Sequence, residues 1–357
     1  MSLLNKILQF KKQKMYFFTT PSHSQGAFNL PYLKDLYKFD FSEMDGLDNL
    51  REPQEVIFNM LEKLTKIYDT KRTFALINGS SSGNIASMLT VLNQNDKVLI
   101  ADNCHISVKN GLELTKAYAD WFSPIIDTNF NCPVSIDKKN VFEKIENGNY
   151  KAIILTSPTY EGVDLDIKDI IDFAHAKGLF VLVDEAHGAL FPFSDKLPKS
   201  AIELGADLIV QSLHKTAGGV NPSALLHIGK NSKINPDDIQ KSLNLINTTS
   251  PSYPLLISIE EVVKFLDENR NIVDELVENI ENFKKYFKNE IEFLPSYQIL
   301  MKVKNQNMIE FTDILYEKFN IECEIAEHDY ALFYCGIGTT RKKLDYLKKS
   351  FSRLLKQ

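Results

Sequence analysis

A lysine in the middle of the chain follows a strand-like run of apolar residues. The run ADLIV (206–210) continues as QSLHKTAGG, so Ser212 and His214 come just before Lys215 and two glycines come soon after it. Taking the charge of a lysine out of water costs several kcal/mol unless that charge is paired or neutralised. A lysine at the end of a buried strand therefore indicates a chemical role for its amine.

A serine-rich segment suggests a different chemistry when it is taken alone. The segment GSSSG (79–83) matches the G-x-S-x-G pattern of a hydrolase, with Ser81 as nucleophile and Asp184 and His187 as its partners. However, Asp184 and His187 follow one strand, whereas a catalytic triad usually takes its acid and base from separate loops. The hydrolase hypothesis also leaves Lys215 without a role.

Two tetrapeptides each match a short motif of another enzyme class. DEAH (184–187) resembles a Walker-B sequence of helicases, but the chain has no G-x-x-x-x-G-K-[ST] to bind nucleotide phosphates. SLHK (212–215) matches the S-x-x-K of penicillin-binding enzymes, but neither S-D-N nor K-T-G is present. Neither alternative accounts for the remaining clusters.

One chemistry uses all of these clusters together. Lys215 can bond covalently to an aldehyde cofactor, and Asp184, 31 residues earlier on a neighbouring predicted strand, can pair with a pyridinium nitrogen. The hydroxyls and backbone N–H groups of GSSSGN (79–84), at the start of a helix, can bind a phosphate. His105, in the loop after the next strand, can cover the ring. These are the groups that pyridoxal 5′-phosphate requires, and no metal site is predicted.

The alternation of apolar and helical segments predicts how these residues are positioned. Continuous apolar strands separated by helices are typical of an α/β fold whose parallel sheet is covered on both faces. Ligands of such sheets bind at the carboxyl ends of the strands, where nearly all of the unusual polar residues lie. The predicted strands are TFALIN (73–78), KVLIA (97–101), KAIILTSP (151–158), LFVLVDEAH (179–187), ADLIVQS (206–212) and SALLHIG (223–229).

The last third of the chain has a different pattern. One long charged helix is predicted from Leu255 to about Lys288, followed by four short strands that alternate with helices. We therefore expect a large domain over residues 16–254, and a linking helix with a smaller α+β domain over residues 255–357.

The first fifteen residues (1–15) are predicted to form a helical arm. Leu3, Leu4, Ile7 and Leu8 fall on one face of this helix, and basic residues mostly follow them. A basic amphipathic helix can lie on a membrane, but we favour packing on its own fold or on a partner subunit, which is the more common arrangement.

The composition limits the class of protein. A net charge of −6 gives no indication of a nucleic-acid surface, and no apolar run is long enough to span a membrane. The four cysteines are scattered, which favours free thiols in a reducing compartment over disulfides. We expect a cytoplasmic enzyme with a small-molecule substrate, and neither a nucleic acid nor a membrane as its partner.

Eight segments occur in an order that a known family shares. They are TPSHSQG (20–26), FSEMDGLDNLREP (41–53), INGSSSGN (77–84), DNCHISV (102–108), TSPTYEG (156–162), VDEAHGA (183–189), QSLHKTAGG (211–219) and TSPSYP (249–254). Over roughly residues 16–260 the chain resembles the short-chain branch of the ornithine/lysine/arginine decarboxylases, within the aspartate-aminotransferase-like superfamily. The resemblance implies pyridoxal phosphate fold type I, a mostly parallel seven-stranded sheet sandwiched by helices with a smaller C-terminal α+β domain.

The resemblance also implies an activity and an assembly. The family decarboxylates arginine, lysine or ornithine to the corresponding amine, which belongs to polyamine metabolism. Enzymes of the superfamily build their active sites from two subunits, so a homodimer with its sites at the subunit interface is expected. Many members of the family carry a further C-terminal domain, which we do not expect after the small domain here. They also tend to carry a lysine after the first histidine of the segment that reads SHSQGAF (22–28) in this chain.

Several site residues receive a role from this resemblance. Lys215 would carry the cofactor, and Asp184 would bond the ring nitrogen. His105 would stack on one face of the ring and Ala186 would pack under the other, while His187 would line the cavity beside it.

The phosphate and the substrate receive candidate residues in the same way. The residues that the resemblance assigns to the phosphate are Ser81, Ser82, Ser212 and His214. Tyr160 and Glu161 are expected to face the pocket, where Glu161 can meet a cationic substrate.

The choice of reaction depends on how the substrate carboxylate is held. Aminotransferases of the superfamily grip it with an arginine beside a strand near the C-terminus, and Tyr334 aligns with that position here. The nearest arginine, Arg341, begins the next predicted helix. Decarboxylation is therefore favoured over transamination or another α-carbon reaction. The distal cation of the substrate needs carboxylates, and the candidates across the dimer interface are Asp40, Glu43, Asp45, Asp48 and Glu52.

Overall fold

The structure of the chain, a computed structural model, describes residues 2–12, 34–44 and 46–356. The helices within these ranges are α1 (Leu3–Lys12), α2 (Lys34–Tyr37), α3 (Val56–Ile67), α4 (Gly79–Val91), α5 (Ile106–Thr115), α6 (Lys138–Asn147), α7 (Lys168–Ala176), α8 (Ala201–Leu204), α9 (Leu213–Thr216), α10 (Pro236–Ile246), α11 (Tyr253–Glu268), α12 (Asn271–Phe287), α13 (Met308–Phe319) and α14 (Arg341–Leu354). A short 3-10 helix spans Phe191–Phe193.

The strands form one large sheet and two smaller ones. Their bounds are β1 (Arg72–Leu76), β2 (Lys97–Ala101), β3 (Tyr118–Phe122), β4 (Ile125–Ile126), β5 (Pro133–Ser135), β6 (Ala152–Thr156), β7 (Phe180–Asp184), β8 (Leu208–Ser212), β9 (Ala224–Ile228), β10 (Ile291–Phe293), β11 (Ile299–Val303), β12 (Ile325–Ala326) and β13 (Ala331–Phe333).

The large sheet has seven strands in the order β1-β9-β8-β7-β6-β2-β3. Strands β3, β2, β6, β7 and β8 pair in parallel, and β9 runs antiparallel to both of its neighbours. The predicted fold class, a mostly parallel seven-stranded sheet sandwiched by helices, is confirmed. The six strands predicted from the sequence all form, and the seventh is β3.

Helices cover both faces of this sheet, and side-chain alternation decides which face each residue joins. Leu182 of β7 packs on the face that α4, α5 and α10 cover. Its neighbours Val181 and Val183 pack on the opposite face with α6 and α7. Asp184 shares the parity of Leu182, so its carboxylate points to the α4 side at the carboxyl end of the sheet.

A glycine lets α4 approach the sheet closely. A Cβ on Gly83 would lie 2.7 Å from a methyl group of Leu76 and 2.9 Å from one of Val210. The absence of a side chain therefore allows the first turns of α4 to rest on β1 and β8. As a result, the serines that open α4 lie next to the end of β8.

The C-terminal part of the chain forms a second, antiparallel sheet in the order β10-β11-β13-β12. The aromatic side chains of Phe283 and Phe287 on α12 pack against Phe351 on α14. These residues belong to an apolar cluster that also contains Leu213 and Leu225 beside the large sheet. The α+β character predicted for this region is present, and its core is continuous with that of the large sheet. The division at residues 254 and 255 stays a prediction.

Two local expectations differ from the structure. The single long helix expected after residue 254 is two helices, because the chain breaks at Asn269 and Arg270 between α11 and α12. Strand β3 was missed because it is an edge strand whose residues are largely exposed, so it lacks a continuous apolar run. Within the described residues, no helix is long and apolar enough to cross a lipid bilayer.

The N-terminal arm packs on its own fold, as one of the two expected arrangements. Leu3 and Ile7 are fully buried in the cluster formed with α3 and α11. The backbone N–H of Leu3 donates a 2.8 Å hydrogen bond to the carboxylate of Glu260, which also pairs with Lys63 at 3.3 Å. Leu8 stays exposed, so the apolar face is narrower than the sequence predicts.

Candidate active site

Lys215 lies in a single helical turn, α9, directly after the fully buried strand β8. Its Nζ atom lies 2.7 Å from Nε2 of His187. Burial lowers the pKa of Lys215, and the negative charges of Asp184 and Glu324 partly oppose that shift. The loss of solvation therefore favours the neutral, nucleophilic form of the amine, as a covalent role requires.

His187 is held from three directions. Its Nε2 faces Lys215, its Nδ1 forms a short hydrogen bond with the hydroxyl of Tyr334, and its carbonyl oxygen accepts a short hydrogen bond from the hydroxyl of Tyr297. Burial, followed by the charge of Lys215, lowers the pKa of His187 to about 3, so the ring is neutral. With Lys215 as donor, Nε2 is the acceptor and Nδ1 carries the proton towards Tyr334.

Asp184 ends β7, beside β8, with 5% of its surface exposed. One carboxylate oxygen accepts a 2.7 Å hydrogen bond from the amide of Asn84, and the other accepts the backbone N–H of Ala186 at 3.1 Å. The same amide of Asn84 donates to Ser107 at 3.0 Å, and the Ser107 hydroxyl bonds Nδ1 of His105 at 2.9 Å. The structure therefore links His105 to Asp184 through two intermediate side chains.

The first turn of α4 forms a polar surface next to β8. Its N-cap residue, Asn78, makes no side-chain capping bond, so the N–H groups of the first turn have no partner within the helix or at its cap. The hydroxyl of Ser80 lies 3.2 Å from that of Ser212. Ser81 is half-buried, whereas the Ser82 hydroxyl donates to the Gly79 carbonyl at 2.7 Å. Of the two serines predicted from this turn, Ser81 thus remains available, and Ser80 joins it.

His214 bonds the backbone beside this turn. Its Nδ1 lies 3.1 Å from the carbonyl oxygen of Ser223, so Nδ1 donates and Nε2 is left as an acceptor in the neutral ring. The side chain is half-buried. The structure thus brings the strand-end residues Ser212, His214 and Lys215 into one turn beside α4.

The opposite side of Lys215 consists of longer side chains that are more exposed. Tyr160 is 40% exposed, and its ring lies edge-on to the His187 ring with 5.2 Å between ring centres. The Tyr160 hydroxyl donates a 2.7 Å hydrogen bond to the carboxylate of Glu324. Tyr334 approaches His187 from another direction, with 5.5 Å between ring centres.

Two acidic residues expected at the substrate have other surroundings. Glu161 is 8% exposed and lies under Tyr330, whose hydroxyl is 3.5 Å from its carboxylate, so it does not face the solvent side of the site. The carboxylate of Asp48 accepts the backbone N–H groups of Gln54, Glu55, Ile57 and Phe58 at 2.7–3.1 Å and of Asn49 at 2.8 Å. Asp48 therefore caps the start of α3, and the interpretation of this residue as a substrate ligand is corrected.

The other residues of the acidic segment differ from Asp48. Asp40 is half-buried and Glu43 is exposed, and the carboxylate of Glu52 accepts a 3.4 Å hydrogen bond from the amide of Gln54. Asp45 and the segments TPSHSQG (20–26) and SHSQGAF (22–28) lie outside the described residues.

The arginines of the chain lie away from Lys215. Tyr334 directly follows β13, and Arg341 is the first residue of α14, as expected. Arg51 donates a hydrogen bond to the carbonyl oxygen of Asn244, Arg72 pairs with Glu62, and Arg270 pairs with Asp267. The remaining two arginines, Arg341 and Arg353, line clefts along α14. This chain therefore brings no arginine to the position from which an aminotransferase holds the substrate carboxylate.

The hydrolase triad is not formed. Asp184 bonds Asn84 and the backbone of Ala186, and His187 bonds Lys215 and Tyr334. Ser81, Asp184 and His187 are thus not joined in the order that serine activation requires.

The donor set of the site fits pyridoxal phosphate. An amine with a lowered pKa, a buried carboxylate on the adjacent strand and an uncapped helix start rich in serine hydroxyls surround one end of β8. The amine can bond an aldehyde, the carboxylate can pair with a protonated ring nitrogen, and the helix start can bind a phosphate. The described residues contain no cluster of side chains that could hold a metal ion.

The fold and this set of residues define a fold type I enzyme, and comparisons with known proteins identify the family. Residues 2–330 match the family described as Orn/Lys/Arg decarboxylase, major domain. The chain belongs to the ornithine/lysine/arginine decarboxylase family. This confirms the family predicted from the eight segments and implies pyridoxal phosphate as the cofactor.

Individual relatives agree with the family assignment. The chain is 30% identical to the Bacillus subtilis protein YaaO over 95% of its own length and 75% of that protein. It is 27% identical to a B. subtilis arginine decarboxylase over 95% of its own length and 74% of that enzyme. The lysine decarboxylase of Francisella novicida superimposes with a TM-score of 0.86 at 19% identity, covering 99% of this chain and 60% of that one. The names of these two decarboxylases support the prediction of an amino-acid decarboxylase acting on a basic amino acid.

Sequence reasoning missed three residues of this site. Asn84 is the last residue of the segment GSSSGN. It lies one helical turn after Ser80 and Ser81, and this spacing could have indicated that it faces the same site. Tyr297 and Glu324 had no such signal, because they come from the small C-terminal sheet and reach Lys215 only through the packing of two layers. Their polar contacts with His187 and Tyr160 follow from the tertiary structure alone.

Proposed function

We propose that this protein decarboxylates arginine, lysine or ornithine to the corresponding amine, with pyridoxal phosphate bound at Lys215. The observation that carries the proposal is the arrangement of Lys215, His187 and Asp184 at the carboxyl ends of two adjacent strands. When it is bound, pyridoxal phosphate supplies an aldehyde that bonds to amines and a ring that accepts electrons from the substrate α-carbon.

Each residue of the candidate site has a defined role in this proposal. Lys215 supplies the amine, and neutral His187 orients it by accepting a hydrogen bond. Asp184, whose orientation is fixed by Asn84, holds a proton on the ring nitrogen. His105 and Ala186 flank the ring.

The first turn of α4, next to the end of β8, would hold the phosphate. Its ligands are Ser80, Ser81 and Ser212 with the free N–H groups of α4, and His214 and Ser82 support this turn. A helix start provides oriented N–H donors and a favourable dipole, which suit a doubly charged anion.

Decarboxylation is favoured over transamination because this chain brings no arginine to the substrate carboxylate. The bond of the α-carbon that breaks is the one held perpendicular to the ring plane. A carboxylate that is not clamped by an arginine in the plane can occupy the perpendicular position. Tyr334, which stands where an aminotransferase would carry arginine, is instead bonded to His187.

We also propose a setting for the enzyme. The sites lie at the interface of a homodimer, as in other enzymes of this superfamily, and the protein works in the cytoplasm. The four cysteines are free thiols, which suits a reducing compartment. The amine products are building blocks for polyamines, so the reaction belongs to polyamine metabolism.

Release of carbon dioxide tests the reaction directly. The purified protein is supplied with pyridoxal phosphate and assayed with arginine, lysine and ornithine in turn. We expect release from at least one of the three, and a loss of at least about 1,000-fold in Lys215→Ala. Lys230→Ala is the matched control, because Lys230 is an exposed lysine that pairs with Asp69 at 2.7 Å, and it should behave as the wild type.

Chemical reduction tests the covalent attachment independently of turnover. Borohydride treatment of the loaded protein, followed by peptide mass analysis, should find the added mass of the cofactor on the peptide that contains Lys215. Formation of a keto acid without carbon dioxide would overturn decarboxylation in favour of transamination. Activity that persists without cofactor and disappears in Ser81→Ala would overturn the cofactor itself.

A further inference from the structure

Glu324 is a carboxylate of the small domain that none of the roles above uses. It directly precedes β12, and its backbone N–H donates a 2.9 Å hydrogen bond to the carbonyl of Leu332 in β13. Its backbone is therefore fixed by the small sheet, while its side chain extends to the large domain. There it accepts the 2.7 Å hydrogen bond from the hydroxyl of Tyr160.

This contact places Glu324 on the solvent side of the candidate site. The ring of Tyr160 packs edge-on against His187, and His187 bonds Lys215. Successive contacts thus connect the Lys215 amine through His187 and Tyr160 to the exposed carboxylate of Glu324. The negative charge of Glu324 also opposes the effect of burial on the pKa of Lys215, which indicates that the two groups are close.

The carboxylate of Glu324 has no cationic partner among the residues that the structure describes. Its hydrogen bond comes from a neutral hydroxyl, and the ion pairs within residues 2–12, 34–44 and 46–356 do not include it. An exposed carboxylate fixed at one oxygen by a tyrosine keeps its other oxygen for a cation. A guanidinium or ammonium group is the partner that such an oxygen binds best.

We propose that Glu324, oriented by Tyr160, binds the distal cation of the substrate side chain and makes the enzyme selective for basic amino acids. This inference rests on the proposed function, since it names the residue that recognises the substrate class. The α-amino group of the substrate reacts at Lys215, and a long side chain directed along His187 and Tyr160 leads to Glu324. Glu161, the acidic residue next to Tyr160 in sequence, is buried under Tyr330 and is not available for this role.

The test measures discrimination between a charged substrate and its neutral analogue. Carbon dioxide release is compared for lysine and norleucine, or for arginine and citrulline if arginine is the better substrate. In Glu324→Gln we expect KM for the basic substrate to rise about 10-fold, with kcat within about 3-fold of wild type. The preference for the basic substrate over its neutral analogue should fall by a similar factor.

Three further variants separate recognition from a structural effect. Glu327→Gln removes an exposed carboxylate from the same β12–β13 hairpin and should keep the wild-type preference. Tyr160→Phe leaves the carboxylate but removes the hydroxyl that orients it, so it should give a smaller loss of preference than Glu324→Gln. Glu324→Asp should recover part of the preference.

Binding of product analogues gives a readout that does not depend on turnover. Calorimetric titration of the holoenzyme with 1,5-diaminopentane and with 1-aminopentane should show tighter binding of the diamine. Glu324→Gln should remove that difference. An unchanged preference in Glu324→Gln, together with unchanged diamine binding, overturns this inference while carbon dioxide release by the wild type still supports the proposed function. A wild type that releases no carbon dioxide from any basic amino acid overturns both.

Discussion

The two sides of Lys215 differ in burial and in how they are held. We call Asn84, Asp184, Ala186 and Ser212 the inner wall, and Tyr160, Glu324 and Tyr334 the outer wall. The inner-wall residues are all buried, and their polar atoms bond to one another or, for Ser212, to Ser80 in the first turn of α4. The outer wall is half-buried or exposed, and its contacts join long side chains from different layers.

This difference suggests that the two walls have different functions. A buried, fully bonded set of polar groups is costly to rearrange, so the inner wall suits a cofactor that is the same in every turnover. Exposed contacts between long side chains cost little to break, so the outer wall can adjust to substrates of different length. Under the proposed function, variants of the inner wall should affect cofactor chemistry and variants of the outer wall should affect substrate choice.

The largest expected effect is on the inner wall at Asp184. Asp184→Ala removes the carboxylate that we propose as the partner of the ring nitrogen, and we expect kcat/KM for carbon dioxide release to fall at least about 100-fold. Tyr334→Phe on the outer wall should change it less than about 10-fold. The control is Asp169→Asn, which alters an exposed aspartate of α7. Equal losses in Asp184→Ala and Tyr334→Phe would show that the distinction between the walls is wrong.

The next largest effect is on the pH dependence of stability, and it comes from Glu185, the residue that directly follows Asp184 of the inner wall. Glu185 is fully buried, and it accepts hydrogen bonds from the Ser200 hydroxyl, the Ala201 N–H and the Gln211 amide, each at 2.6 Å. Burial raises the pKa of Glu185 to about 7, although these hydrogen bonds oppose the shift. Between the ordinary pKa of glutamate and about 7, the folded state therefore holds a proton that the unfolded state has lost.

The stability contributed by this proton is present at low pH and is lost as the pH rises to about 7. We expect this group to lower the free energy of unfolding by at most about 3 kcal/mol across that range. Denaturant titrations of the wild type and of Glu185→Gln at several pH values from about 4.5 to 8 measure the effect. The variant should show a shallower decline, and two parallel curves would contradict the protonated state of Glu185.

A smaller effect on stability is expected at Gly336, where the chain that carries Tyr334 of the outer wall packs against α9. Gly336, two residues after Tyr334, lies so close to α9 that a Cβ would be 2.5 Å from the carbonyl oxygen of Thr216 and 2.9 Å from its Cα. Gly336→Ala should force the two layers apart and destabilise the protein by roughly 1–3 kcal/mol. Gly338→Ala is the matched control, because a Cβ there meets nothing within 4 Å. Thermal unfolding of both variants measures the difference.

The smallest expected effect is that of Asp48, which lies in the acidic segment and belongs to neither wall. Asp48→Ala removes the acceptor that caps α3, so we expect a loss of about 1–2 kcal/mol in the free energy of unfolding and no change in KM. Glu52→Gln, in the same segment but exposed, should leave both quantities unchanged. A raised KM with unchanged stability in Asp48→Ala would restore the interpretation of this residue as a substrate ligand.

The inner wall was largely predictable from the sequence because each of its parts is a short contiguous segment at a strand end. A parallel sheet necessarily gathers such ends at one edge, so Asp184, Ser212 and Lys215 could be placed together without knowledge of the packing. Their precise partners were less predictable. The Ser82 hydroxyl bonds back into its own helix, and Ser80 rather than Ser82 faces Ser212.

The outer wall was predicted only in part, because the resemblance named Tyr160 and Tyr334 but not Glu324. Glu324 and Tyr334 flank strands of two and three residues, in which the apolar pattern is too short to fix register or direction. Asp48 was misread for a related reason, since a charge run in a loop does not show which carboxylate meets the free N–H groups of a following helix. The break at Asn269 and Arg270 has no proline or glycine to mark it.

The turn that carries Lys215 is also a point of contact with the C-terminal part of the chain. The Thr216 carbonyl, one residue beyond Lys215, accepts a 2.9 Å hydrogen bond from the N–H of Ile337, next to the close approach at Gly336. A hinge-like opening of the two layers would have to break this hydrogen bond and would disturb the turn that carries Lys215. Tyr160 and Glu324 are exposed, and exposed side chains change rotamer within nanoseconds, so we expect substrate entry to require rotation of these two side chains rather than separation of the layers.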